Sequence, residues 1–160
     1  MQQRASRLSS VVLGVLAGLA GGIAIDGFLV CVQVLGSHAF TLTSFYQFVA
    51  SGAIGKGTAY ASPSYAWLGL AFHLTISAMW GVGYAYVAAR TPQVAARPLL
   101  SGLAFGFVVY FAMQLVEVVA AIYSLPTPRS LSIALIAHMI FFGLPIAYVL
   151  RAAVPARAAA

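Results

Sequence analysis

LLSGLAFGFVVYFAMQLVEVVAAIY, residues 99–123, holds one charged residue, Glu117, and opens on two glycines four apart, Gly102 and Gly106. A helix needs roughly 20 apolar residues to cross the hydrocarbon layer of a bilayer, and this run exceeds that. Three more runs of the kind lie at about 11–34, 65–89 and 131–150. Each also carries a single acid or histidine: Asp26, His73 and His138 respectively. Asp26 and Glu117 are the only two carboxylates in 160 residues.

The whole chain follows the same pattern. It is 62% hydrophobic and 6% charged, with mean hydropathy +0.99. Soluble domains carry about 25% charged residues, so this surface does not suit water on all sides. In lipid the backbone must satisfy its own hydrogen bonds, which makes the four runs helices. Barrel strands are about 10 residues long and alternate in polarity, unlike these runs. The reading is a single all-α domain over 1–160, an integral membrane four-helix bundle.

The net charge of +6 reflects where the cations sit rather than an affinity for nucleic acid. Arg4 and Arg7 precede the first run, Arg90 and Arg97 lie between the second and third, and Arg151 and Arg157 follow the fourth. Only Lys56 and Arg129 fall on the other side. Positively charged loops stay cytoplasmic, so both termini are expected inside. The first run reaches about Val34, beyond the 7–15 residues of a signal-peptide core, and is read as a span. The single cysteine, Cys31, excludes an internal disulfide and is read as a buried thiol.

Residues 36–64 form the one sizeable loop, on the outer side. Thr43 to Ile54 reads as a short amphipathic helix, capped by Thr43 or Ser44 and ended by Gly52 or Gly55. It is taken as an interfacial connector, with a lid over an outer site as the functional alternative. His38 is expected to be solvated. Tyr84, Tyr86 and Tyr148 fall where an interfacial aromatic belt is expected. Residues 125–129 form a tight, proline-rich outer turn. The short loops predict that successive spans are antiparallel neighbours, and Pro145 predicts a kink in the fourth.

Residues four apart share a helix face. Gly14, Gly18, Gly22 and Asp26 form one stripe, Gly69, His73, Ser77 and Gly81 a second, and Gly102, Gly106, Tyr110, Gln114 and Glu117 a third. Small residues let membrane helices approach, so the glycines mark packing faces, within the chain, toward a second copy, or toward the partners of a larger membrane complex in which this chain would be an accessory subunit. The first and third spans both begin with such glycines, and the second and fourth both carry Ala-Tyr-Val at 85–87 and 147–149, which suggests a repeated hairpin. At 1.5 Å per residue His138, Asp26, His73 and Glu117 fall roughly 3, 6, 6 and 10 Å outward of the bilayer midplane.

Asp26, His73, Ser77, Gln114, Glu117 and His138 are therefore candidates for one intramembrane polar cluster. Three readings fit them. One is a satisfied structural network. A second is a divalent metal or haem on His73 and His138, although no Glu-x-x-His pair supports it. A third is a proton or solute relay in a hydrated outer cavity, although no ionisable group continues the path inward. No soluble-enzyme motif is present, no catalytic residue is assigned, and no cofactor is the simplest expectation.

His73-x3-Ser77-x5-Gly83-Tyr84, Leu99-Leu100-Ser101-Gly102, the alanine-flanked His138 and the segment 14–18 (GVLAG) resemble YagU-like inner-membrane proteins. Ala50-Ser51-Gly52 followed by Gly55, ahead of residues 68–73 (LGLAFH), is similar to uncharacterised bacterial four-span proteins of that general type. The resemblance implies a bacterial inner-membrane location and four spans. It implies no reaction.

Overall fold

The computed structural model describes residues 2–120, 122 and 127–153, the side chains of 2–9 excepted. Arg157, Leu125, Pro126 and the side chains of Arg4 and Arg7 lie outside the described residues. Every described regular element is helical. Helix α1 (Gln2–Leu29) runs on into a π-helical segment, Val30–Gly36. Then come α2 (Leu42–Ile54), α3 (Lys56–Ala59), α4 (Tyr65–Arg90), α5 (Pro92–Ala96) and α6 (Pro98–Val119). The last span is α7 (Pro128–Ile136), a second π segment (Ala137–Gly143) and α8 (Leu144–Ala153). Four helices, Ser10–Gly36, Tyr65–Arg90, Pro98–Val119 and Pro128–Ala153, are long and apolar enough to cross a membrane. By length and composition they mark a multi-pass membrane protein.

Glycines set the closest approaches. A Cβ placed on Gly14 would lie 2.7 Å from the Val82 Cα, and one on Gly81 only 2.5 Å from the Gly18 amide nitrogen, so α1 and α4 meet backbone to backbone. In the second hairpin a Cβ on Gly102 would lie 2.9 Å from the Gly143 carbonyl oxygen, and one on Gly143 2.8 Å from the Gly106 nitrogen. Gly14, Gly18 and Gly81 thus make in the first hairpin the contact that Gly102, Gly106 and Gly143 make in the second. The expected repeat therefore has a geometric counterpart, and these glycine faces are taken up inside the chain.

The two seams differ by one residue. Gly18 faces Ala78, three residues before Gly81, whereas Gly106 faces Met139, four residues before Gly143. The extra residue is absorbed by the π segment 137–143, since a π turn is one residue wider than an α turn. Pro145 lies just beyond it. Proline has no N–H and its ring crowds the carbonyl four residues back, so a widened turn there relieves the clash. The expected kink takes this form.

Successive spans are not all neighbours. The α4 and α6 backbones make no substantial contact, although only α5 separates them in sequence. Large rings hold them apart: Phe105 on α6 meets Trp80 (centroids 6.0 Å apart) and Tyr84 (4.9 Å) on α4. Below these rings the Tyr84 hydroxyl lies 2.7 Å from Ser101 Oγ, which in turn donates toward the carbonyls of Val94 and Arg97. Tyr84 is therefore buried and is not a belt residue. Tyr86 and Tyr148 are exposed, and the Arg90 guanidinium sits 3.4 Å over the Tyr86 ring.

Two further expectations change. Cys31, on the π segment, is exposed rather than buried. The α2 cap is Thr41 rather than Thr43 or Ser44: Thr41 and Ser44 form a reciprocal capping box, with Ser44 in the third helical position. Gly55, at φ 78°, closes the helix in a conformation that glycine adopts readily.

Candidate functional site

Helix α2 sits on α4 because Gly69 has no side chain. A Cβ there would collide with the Tyr46 carbonyl oxygen and lie 2.7 Å from its carbon. Phe45, Gln47, Ala50 and Ser51 are buried as a result. Gln47 Nε2 donates to the carbonyls of Ala59 and Ser62, both at 3.0 Å, and fixes the chain that follows. Helix α2 is thus a packed element of the fold.

Its position brings in a residue that the stripes did not reveal. The Tyr46 hydroxyl donates to Asp26 Oδ2 at 3.0 Å. His73 Nε2 lies 3.1 Å from Asp26 Oδ1. That approach is off the line of a hydrogen bond, so both atoms are buried without a well-formed partner. Asp26 therefore joins α1, α2 and α4 at one point. Burial, the nearby Asp26 charge and the hydrogen bond to it together push the Tyr46 phenol up to about 12. Only Tyr46's location next to Gly69 predicts its role, and Gly69 reads in sequence as part of a stripe facing other spans.

Beside this group is a cavity of about 370 Å³. Ligand pockets typically begin at about 300 Å³ and combine apolar walls with a few polar groups. Ile25 and Leu29 of α1, Phe72, Ile76 and Trp80 of α4, Val109, Met113 and Val116 of α6, and Phe142 of the last span form the walls. Phe45, Phe48, Val49, Gly52 and Ala53 of α2 cover one end of it. His73, Ser77, Gln114, Glu117 and His138 all line it.

Of the six expected cluster residues, five share the cavity and Asp26 stands behind His73. The residues meet around a space more than they bond to one another. His138 Nδ1 is 2.8 Å from the Ala134 carbonyl, which can only accept, so this nitrogen carries the proton and a neutral ring has Nε2 as an acceptor. The ring is held edge-on to Tyr110, with centroids 5.5 Å apart. Ser77 faces the Gly22 position, where a Cβ would lie 2.7 Å from its Oγ. Among the described residues, no side-chain hydrogen bond is made by Glu117 or Gln114; both also border a second pocket, which Arg129 lines.

Among the described residues no group of three or more His, Cys, Asp and Glu side chains is placed to hold a metal. His73 and His138 border the same cavity, but His73 Nε2 is turned to Asp26 and His138 Nδ1 to its own helix. No family model, curated protein or solved structure matches this chain.

Proposed function

We propose that this is a non-catalytic, four-span protein of the bacterial inner membrane that holds a small, mostly apolar molecule in the cavity under α2. The supporting observation is the cavity itself: aromatic and aliphatic walls from all four spans, a fixed outer cover, and a few polar groups gathered on one side. A purely structural network would pair those groups with each other, whereas Gln114 and Glu117 face open space.

Both termini are cytoplasmic in this reading, which places the cavity in the outer half of the bilayer. The cation distribution supports this orientation: Arg90, Arg97 and Arg151 belong to one end of the spans, and Lys56 and Arg129 to the other. The resemblance to YagU-like proteins agrees with four spans in an inner membrane.

Orientation is checked by cysteine labelling in a Cys31→Ser background. Ser37→Cys is expected to react with an impermeant reagent on intact cells, and Gln93→Cys only after lysis. The reverse pattern would invert the topology. The cavity is checked by fluorescence of Trp80. The chain has two tryptophans, and Trp67 is 76% exposed, so Trp67→Phe leaves Trp80 as the reporter on the cavity wall. In nanodiscs, ω-bromo-octanol is expected to quench it saturably, and Met113→Phe, which fills the space, to remove the saturable part. Quenching that rises linearly in both proteins would reject the ligand reading.

A further inference from the structure

Where does the ligand come from, and what does it carry? The four spans close on three sides. The α1 and α4 backbones meet, as do α6 and the last span, and α1 also packs on the last span through Gly21, whose Cβ would lie 2.9 Å from both the Phe142 carbonyl and the Ile146 side chain. The fourth side, between α4 and α6, has no comparable seam. Toward the inner end the rings of Trp80, Tyr84 and Phe105 fill it. Above them the facing residues are cavity wall, and α2 covers the outer end. The cavity therefore opens sideways, at the depth of the hydrocarbon layer.

The polar groups specify the other half of the answer. Asp26 accepts from the Tyr46 hydroxyl, lies 3.1 Å from His73 Nε2 and does not itself line the cavity. His138 offers an acceptor nitrogen. Glu117 is the one acid lining the cavity, and among the described residues no lysine or arginine lies within ion-pair distance of it. An acid left unpaired in an apolar site is costly, so the complementary ligand group is a cation that donates hydrogen bonds. Phe45, Phe72 and Trp80 also line the cavity, and aromatic rings attract a cation placed over their faces.

Building on the ligand-binding reading above, we infer that the cavity takes a lipid-soluble primary amine, admitted from the bilayer between α4 and α6, with its ammonium on Glu117 and its chain among the rings.

The test uses the Trp67→Phe protein in zwitterionic nanodiscs with three probes of equal chain length: ω-bromo-octylamine, ω-bromo-octanol and ω-bromo-octanoate. The amine is expected to reach half-maximal quenching of Trp80 at about one-tenth the membrane mole fraction of the alcohol, the scale of one hydrogen bond to a charged group. Octanoate is expected to be weakest. Glu117→Gln should bring the amine level with the alcohol, and comparing the two proteins in the same lipid cancels differences in partitioning. If Glu117→Gln does not fold, Glu117→Asp carries the test, because drawing the carboxylate back by one methylene should weaken the amine and not the alcohol. An amine no better than the alcohol, or a preference unchanged by either substitution, overturns the amine assignment and leaves the cavity reading standing. No saturable quenching by any probe overturns both.

Discussion

Gly81→Val is expected to prevent stable formation of the α1–α4 hairpin, whereas Gly83→Val, two residues on, leaves it intact. At Gly81 an added Cβ falls 2.5 Å from the Gly18 nitrogen and Cα, and closer still to the Gly14 carbonyl oxygen. All of these are backbone atoms, which cannot rotate aside as a side-chain tip can. At Gly83 nothing lies within 4 Å. Overpacking a tight site costs about 1–3 kcal/mol even where side chains can shift, so a backbone collision should exceed the upper end of that range. Reversible unfolding in mixed micelles would measure the difference, and Gly106→Val should behave like Gly81→Val. Equal stability of Gly81→Val and Gly83→Val would refute the close seam.

Gly69→Val should have the second large effect, of a different kind. It leaves the hairpin seams untouched but drives a side chain into the Tyr46 carbonyl, so α2 is expected to lift from α4 while the spans remain folded. Hydrogen exchange should then accelerate across Leu42–Ile54 and not in the seams. Gly57→Val is the control, since nothing lies within 4 Å of that position. Alkali loads the same contact more gently. The Tyr46 phenol is raised from 10.0 to about 12 in the fold, chiefly by burial, then by Asp26. The docked form therefore keeps its proton where the released form loses it. Its contribution is complete below pH 10.0 and fades between 10.0 and about 12. Tyr46→Phe should abolish that alkaline step; a step that persists would assign it to another group.

The four spans were legible because membrane crossing imposes a length and a composition that few other structures share. The expected ranges 11–34, 65–89 and 131–150 fall within the helices found, and 99–123 overruns the end of α6 at Val119. The glycine stripes were legible for the same reason, since an apolar helix has few other ways to come close to a neighbour. Gly14, Gly18, Gly22 and Gly81 join one hairpin, and Gly102 and Gly106 the other. Gly69 was legible as a packing glycine but not by its partner, because four-residue spacing defines a face and not what lies opposite it. Gly21 and Gly143, each packed against a neighbouring helix, stood outside the stripes.

The candidate site was legible as a set of residues and less so as an arrangement. Acids and histidines in apolar spans must face inward, and His73, Glu117 and His138 do line one space. The cavity was not legible, because it depends on α4 and α6 standing apart, which follows from three rings meeting across the gap and not from any periodicity. Tyr46 was missed because its role depends on where α2 docks. The π turns were missed because periodic reading assumes a constant number of residues per turn.

That last assumption has a mechanical counterpart. A surplus residue in a helix is a phase slip: everything before it is rotated by about 100° relative to everything after. In the fourth span the slip falls inside the seam itself, between Met139, which faces Gly106, and Gly143, which faces Gly102. The backbone of His138 belongs to that contact while its side chain lines the cavity, so seam and wall are tied together there. The matching stretch of α4, from Ser77 to Gly81, keeps a constant phase, and Ser77 ties seam to wall in the same way.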